Sequence, residues 1–227
     1  EFDDVYVPAV FDDLTTQNIL TSEYMEGVMI DRLYSDKVPQ HIKDTVGSNL
    51  LRVCLKEIFQ WREMQTDPNP GNFFYNFDTN QLILLDFGAG RKYSKEFIQN
   101  YFYLIQGSVE DDHKMIQEMA TKIGFFTGEE SKPLLEVHCG AFADIGLPFR
   151  NPGEYDFGAQ DVTSRVYEKI PPILKDRLTP PPPEIYSLHR KLSGAYLLAI
   201  HLKSKIRARD LYLEIYNNLK PDYSTAQ

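Results

Sequence analysis

Apolar positions recur along the chain with two different periods. Over residues 42–64, Ile42, Val46, Leu50, Val53, Cys54 and Phe59 fall on one stripe with the 3.6-residue repeat of a helix, while Lys43, Asp44, Arg52, Lys56 and Glu57 fall elsewhere. This is the clearest helix the pattern predicts, with Trp61 packed at its end, and it runs directly into Gln65-Thr66-Asp67. Next come Phe73-Phe74-Tyr75-Asn76-Phe77 and Gln81-Leu82-Ile83-Leu84-Leu85, aromatic and β-branched runs on either side of Asp78-Thr79-Asn80. That arrangement predicts a hairpin. Near the start, residues 5–10 and 19–25 read as two strands joined by a turn over 12–18, with Glu26-Gly27 breaking the second.

Beyond the hairpin the helical period takes over. Phe97, Tyr101, Leu104 and Ile105 give a helix over 95–109. Further helices are predicted over 111–123 and 129–145, stopped by Gly124 and Gly146. A loop over 149–158 precedes a helical run over 160–178 that should break at Pro171-Pro172. Pro180 to Pro183 form a stiff extended spacer. A helix over 184–203 follows, packing through Tyr186, Leu188, Leu192, Tyr196, Leu197 and Ile200. A short helix over 210–219 closes the chain, and residues 221–227 should fray. The fold class is therefore α+β and mostly α.

Composition narrows the function. With 42% hydrophobic and 13% aromatic residues, 227 residues can bury a sizeable core. A formal net charge of −9 argues against a nucleic-acid partner and against general adhesion to anionic lipid. Cys54 and Cys139 are the two cysteines and form no CxxC pair, so they read as buried or free thiols rather than a disulfide or zinc set. His41, His113, His138 and His201 stand apart from any metal spacing. No stretch approaches the length of a membrane-spanning helix, and Glu1-Phe2-Asp3-Asp4 is neither a signal peptide nor a basic presequence.

The candidate chemistry lies in Gln65-Thr66-Asp67-Pro68-Asn69-Pro70-Gly71-Asn72 and in Leu84-Leu85-Asp86-Phe87-Gly88. Protein kinases place a catalytic-loop Asp, a metal-binding Asn and the Asp of Asp-Phe-Gly in this order. The first takes or orients the hydroxyl proton, and the other two hold Mg²⁺ through oxygen. The hairpin would bring Asn72 and Asp86 to neighbouring strand ends, and Pro68, Pro70 and Gly71 would rigidify the loop. Taken singly, Asp67 and Asn72 also fit turn caps beside prolines, and Asp86 fits the cap of a following helix.

Met64 to Asn69, Asn72 to Tyr75 and Leu84 to Ala89 together resemble the UbiB family of atypical kinases, and within it the mitochondrial aarF-domain kinases that support coenzyme Q biosynthesis. Pro180 to Pro183 running into Glu184-Ile185-Tyr186-Ser187-Leu188-His189-Arg190-Lys191-Leu192-Ser193-Gly194 carries the same resemblance, which extends over essentially the whole chain. It implies a protein-kinase-like fold: residues 1–27 as the end of the N-lobe strands and the hinge, residues 28–227 as a helical C-lobe. By resemblance, Asp67 would be catalytic, backbone groups of Glu23 and Met25 would bind adenine, and Asn72 and Asp86 would hold the ATP-bound Mg²⁺. The residues alone equally allow an ordinary hairpin around Glu23 and Met25. The implied activity is an ATPase or a small-molecule or lipid kinase, on the matrix side of the mitochondrial inner membrane. Its partners would be coenzyme Q biosynthetic proteins and lipid or quinone intermediates. Two alternatives remain: a nucleotide-responsive scaffold or pseudokinase organising those proteins, and a phosphotransferase of the aminoglycoside or choline kinase kind.

Several kinase parts are absent. There is no Val-Ala-Ile-Lys strand, no Gly-rich phosphate loop and no Ala-Pro-Glu, and Gln65-Thr66 stands where His-Arg would precede Asp67. The expectation is the C-terminal part of a longer protein, cut inside the N-lobe and inefficient in phosphoryl transfer by itself. Arg91 and Lys92 read as solvated or as facing phosphate. His189, Arg190 and Lys191 read as a solvated face with one capped His, or as a contact for an acidic partner or a lipid headgroup.

Overall fold

The structure, a computed structural model, describes residues 3–160 and 162–224. The alternating run after the candidate loop forms the predicted hairpin: β4 (Phe73–Asn76) pairs antiparallel with β5 (Gln81–Leu84), with Tyr75 opposite Leu82. Asn80 makes the turn in the left-handed region at φ 56°. Two short strands complete the sheet. β1 (Val5–Tyr6) lies parallel beside β5, and β2 (Val28–Met29) antiparallel beside β4, giving the order β1-β5-β4-β2.

Residues 7–25 depart from the expectation. Only Val5 and Tyr6 form a strand, and 19–25 contains none. The segment is tied by single bridges at Val10–Ser22 and Thr16–Ile19. It exposes Val7, Val10, Phe11, Leu14, Ile19, Leu20 and Tyr24, so its apolar side chains have no layer to pack against within the described residues. At Gly27 (φ 154°) a Cβ would stand 2.9 Å from the Tyr75 carbonyl oxygen, so the segment passes the hairpin too closely for a side chain.

The long amphipathic stripe becomes α1 (Gln40–Leu55) continued by one widened π turn, Lys56–Trp61. Arg62 ends it at φ 57°, and Glu63–Gln65 then form β3, paired antiparallel with β6 (Gly90–Lys92). The helix therefore stops before residue 64. Met64 and Gln65, both buried, enter as strand. Trp61 is 46% exposed, and Lys43 and Glu57, assigned to the polar side, are buried.

The helical body follows as α2 (Lys95–Glu110), α3 (His113–Lys122), α4 (Lys132–Ile145), a single turn α5 (Leu147–Arg150), α6 (Val162–Asp176), α7 (Pro183–His201) and α8 (Ala208–Ser224). Ser94 caps α2 by accepting from Phe97 N–H, and Asp112 caps α3 by accepting from Lys114 and Met115 N–H. Pro183 opens α7 at a position where no N–H is needed. The expected loop 149–158 begins inside α5 and includes β7 (Tyr155–Asp156), which pairs with β8 (Lys205–Ile206). Helix α6 runs unbroken through Pro171-Pro172, against expectation. The carbonyls those prolines leave without an N–H belong to the exposed residues Tyr167 and Glu168, where water can serve. Helix α8 likewise continues past Pro221 to Ser224, and the rest of the expected frayed tail lies outside the described residues.

Two cores result. One joins the helices through Leu51, Ile58, Tyr101, Phe102, Phe149, Leu188 and Leu192. A smaller one fixes the sheet onto α1 and α7 through Val46, Leu50, Phe73, Tyr75, Leu82, Leu198 and Leu202. The chain is thus mostly helical with small sheets. Cys54 and Cys139 are buried and free, as expected, and burial pushes the Cys54 thiol up to about 12. Among the described residues no helix is long and apolar enough to cross a membrane.

Candidate active site

The segment that carries Asp67 leaves β3 and is pinned at once. Thr66 donates through both its N–H (3.1 Å) and its hydroxyl (2.9 Å) to the Ala89 carbonyl. Asn69 then caps a single 3-10 turn, Pro70–Asn72, by accepting from Gly71 N–H at 3.0 Å. That turn delivers Asn72 to the first residue of β4. Leu85 N–H donates to Asn72 O at 3.0 Å, so Asn72 and Asp86 stand at neighbouring strand ends, as the hairpin predicted.

Asp67 and Asn72 meet directly. The Asn72 amide Nδ2 donates to Asp67 Oδ2 at 3.3 Å and to the Asp67 carbonyl at 3.4 Å. With its nitrogen committed, Asn72 has its amide oxygen left for a cation. Asp86 is exposed, and its Oδ1 accepts from Gly88 N–H at 2.7 Å. Gln65 joins the two halves: its Nε2 donates to the Asp86 carbonyl (2.8 Å), and its Oε1 accepts from Asp67 N–H (3.2 Å). An amide oxygen and a carboxylate suit a hard divalent cation such as Mg²⁺. The residues present therefore fit that ion: Asn72 and Asp86 would hold it, and it would supply positive charge to polyphosphate oxygens.

Helix α7 contributes what the sequence reading missed. Arg190, on its exposed side, donates through NH2 to Asp67 Oδ1 at 3.2 Å. The next residue, Lys191, points inward to a buried ion pair with Glu57 on the π turn; both side chains are less than a tenth exposed. Glu57 also accepts from Gln65 N–H at 3.2 Å. Burial raises the Glu57 carboxyl above its usual range, an effect the Lys191 ammonium and the Gln65 N–H oppose. One turn further on, a Cβ at Gly194 would fall 2.2 Å from Pro68 Cβ, so the loop lies directly on the helix backbone. A signal for the pair existed. Glu57 follows Val53 and Cys54 at helical spacing, and Lys191 lies three residues from Leu188, so each charge sits on an apolar stripe.

Of the cluster His189-Arg190-Lys191, only Arg190 lies on a solvated face; His189 and Lys191 turn inward. His189 is neutral: burial lowers it to about 4, and its ring lies against Phe125 (5.6 Å), Phe142 (5.7 Å) and Tyr101 (6.1 Å). Its Nε2 has no hydrogen-bond partner among the described residues. Arg91 is likewise tied down, donating to the Pro183 carbonyl, to Ser187 Oγ and to Glu184 at 3.1–3.2 Å, which fastens β6 to the start of α7. Lys92 stays exposed and pairs with Glu63 at 3.3 Å.

Glu23 and Met25 lie on the irregular segment before β2, and no hydrogen bond among the described residues joins them to Asp67, Asn72 or Asp86. Glu23 N–H is taken by the Ala9 carbonyl (2.8 Å), and its carboxylate accepts from Tyr6 hydroxyl (2.7 Å) and Ala9 N–H (3.2 Å).

The model of the ABC1 atypical kinase-like domain matches residues 1–120. The atypical kinase coq-8, mitochondrial, of Caenorhabditis elegans is 42% identical over 222 residues, which cover 96% of this chain and 29% of that protein. The atypical kinase COQ8, mitochondrial, of Saccharomyces cerevisiae is 40% identical, covering 92% of this chain and 42% of its own length. Its counterpart COQ8B of Danio rerio is 39% identical, covering 94% and 34%. Among solved structures, the Rv3197–erythromycin complex of Mycobacterium tuberculosis superposes with a TM-score of 0.73 over 92% of this chain and 51% of that one, at 16% identity. That likeness establishes the kinase-like fold.

Proposed function

The chain belongs to the ABC1 atypical kinase-like family, and on that premise we propose that it carries the catalytic-loop and metal-binding half of an ATP- and Mg²⁺-dependent atypical kinase or ATPase. It spans between 29% and 42% of the length of the three relatives compared above, so the activity proposed is that of a whole protein of their kind. The observation that carries the reading is the joining of Asp67, Asn72 and Asp86 through the Asn72 amide and the Leu85–Asn72 backbone bond. Phosphoryl transfer asks the protein mainly for position and fixed charge. Asp67 would accept or orient the proton of the attacking hydroxyl or water. Arg190 and Asn72, bound to its two carboxylate oxygens, would hold it in place. Asn72 and Asp86 would keep Mg²⁺ on the nucleotide phosphates, and Glu23 and Met25 would offer backbone groups to adenine. By its resemblance, and because the relatives' names place them in mitochondria, we assign the same compartment and a role in coenzyme Q biosynthesis on the matrix side of the inner membrane.

The test is Mg²⁺-nucleotide binding by calorimetry together with phosphate release, in the intact protein, for wild type, Asp86→Asn and Asp67→Asn. Loss of binding in Asp86→Asn and loss of turnover alone in Asp67→Asn is the expected result. Unchanged binding and turnover in both would sink the reading. A protein that binds nucleotide but works normally with Asp67→Asn would be the nucleotide-responsive scaffold instead.

A further inference from the structure

Gln65 is the residue on which the two halves of the site meet. It is buried, and its N–H, its amide nitrogen and its amide oxygen are all engaged. They meet Glu57 Oε1 (3.2 Å), the Asp86 carbonyl (2.8 Å) and Asp67 N–H (3.2 Å) in turn. The carboxylate that holds its backbone is itself fixed. Lys191 meets the other oxygen of Glu57, and the two side chains are 6% and 8% exposed. Lys191 also shares the wall of a cavity of about 10 Å³ with Pro68 of the loop and Phe73 of β4. The ion pair therefore lies under the Asp67 loop and beside the strand that the loop enters.

Stability does not account for this pair. Burying two charges strips each of its water, and their attraction does little more than offset that loss. Apolar residues of the same volume would hold α7 to the π turn about as well. What they would lack is an oriented, charged acceptor. A carboxylate held at one oxygen presents the other in a fixed direction, and it binds an N–H more strongly than a neutral acceptor does. Phosphoryl transfer is sensitive to such direction, since a misplacement of about 1 Å costs on the order of a hundredfold in rate.

We propose that Glu57 and Lys191 are positioning residues for the catalytic loop. The pair fixes the Gln65 backbone, and the Gln65 amide then sets the backbone at Asp67 relative to that at Asp86. Asp86 keeps its own turn to Gly88, so loss of the relay falls chiefly on Asp67. The consequence for turnover rests on the proposed function; the ordering of the loop does not.

Two double variants in the intact protein test the relay. Both remove the two charges. Glu57→Leu with Lys191→Met leaves Gln65 N–H without an acceptor, whereas Glu57→Gln with Lys191→Met keeps an amide oxygen there. Amide exchange over residues 63–72, read by mass spectrometry, should rise at least about tenfold in the first double variant and much less in the second. The rate of phosphate release, kcat, should fall on the order of a hundredfold in the first, with KM for Mg²⁺-ATP within about threefold of wild type. The second should recover most of that rate. Gln65→Met, which leaves the pair intact, should give the same loss of kcat, and adding it to the first double variant should remove nothing further.

A pair that only packs α7 against the π turn would leave exchange and kcat at wild-type values in both folded double variants, and that result overturns the proposal. Losses that multiply when Gln65→Met is added overturn it as well. Should the first double variant fail to fold by circular dichroism, Gln65→Met carries the test, and wild-type exchange over 63–72 in that variant overturns the proposal. A wild type without turnover would refute the proposed function, while the exchange comparison would still decide the relay.

Discussion

Asp67 and Asp86 share one edge of the molecule, yet they are held in opposite ways. The Asp67 side is built into the body. Its carboxylate is bound by Arg190 and Asn72, its N–H by Gln65, and its loop lies on the backbone of α7. Beneath it the buried Glu57–Lys191 pair fixes the N–H of Gln65. The Asp86 side is set by a local turn to Gly88 and by one backbone carbonyl, with Leu85 and Phe87 exposed around it. One carboxylate is positioned by tertiary structure, the other by a few consecutive residues, so perturbations should affect them through different quantities.

The sharpest test of that contrast is Lys191→Ala against Asp86→Ala. Removing Lys191 strands a buried carboxylate, which should cost about 3–5 kcal/mol in urea unfolding. Asp86→Ala, at an exposed position, should change stability by no more than about 0.5 kcal/mol, while removing a proposed Mg²⁺ ligand. Replacing both charges at once (Glu57→Gln with Lys191→Met) should restore most of the lost stability, because neither partner is then buried alone. Comparable destabilisation by Lys191→Ala and Asp86→Ala would erase the distinction.

Acid should act on the same side. His189 is neutral in the fold with its ionisation lowered to about 4, against an ordinary value of 6.5. The unfolded chain therefore binds a proton between pH 6.5 and 4 that the folded chain refuses, and stability falls as pH drops through that window. The loss at the bottom of the window is at most roughly 3 kcal/mol. Unfolding free energy measured from pH 7 to 4 should slope more weakly in His189→Phe than in wild type. An unchanged slope would mean that His189 takes up its proton without opening the packing around it.

The contrast also marks what could be read from sequence. The hairpin, the long stripe of α1 and the Asp67, Asn72, Asp86 order were legible because each depends on local spacing. The α7 contacts were not, because Arg190 and Lys191 act 123 and 134 positions away from Asp67 and Glu57. Adjacent residues on one helix there face opposite ways, one to solvent and one to the core. A basic run suggests a solvated face by composition alone, and only the apolar periodicity around Lys191 and Glu57 argued otherwise. The end of α1 was misread for a related reason: a π turn and a left-handed Arg62 redirect the chain without a Gly or Pro to announce it. The N-terminal strands failed because a strand needs a neighbour to pair with, and only Val5 and Tyr6 find one along β5.

Gly194 offers a smaller perturbation of the same seam. A methyl group there would overlap Pro68, so Gly194→Ala should cost about 1–3 kcal/mol by overpacking and shift the loop that carries Asp67. Denaturation gives the stability. The shift would appear as lost turnover at retained Mg²⁺-nucleotide affinity, since Asp86 and its turn lie outside the contact. Loss of nucleotide affinity in parallel with turnover would show that the two halves of the site move together.

The smallest stability effect is expected at Arg190. Its side chain is 62% exposed, so the ion pair with Asp67 is screened and its removal should cost no more than about 1 kcal/mol. Its effect on chemistry should be larger than its effect on folding. Arg190 is the cation that reaches the Asp67 carboxylate, and the loop from Gln65 to Asn72 carries no Lys or Arg of its own. Arg190→Gln keeps a hydrogen-bond donor but removes the charge, and Arg190→Lys keeps the charge but loses the planar fork. If charge beside Asp67 is what matters, Lys should retain more turnover than Gln at equal stability. If the geometry of the fork matters, both should fall alike. Turnover that survives in both variants would reduce the ion pair to a surface contact and leave Asn72 and Gln65 as the groups that position Asp67.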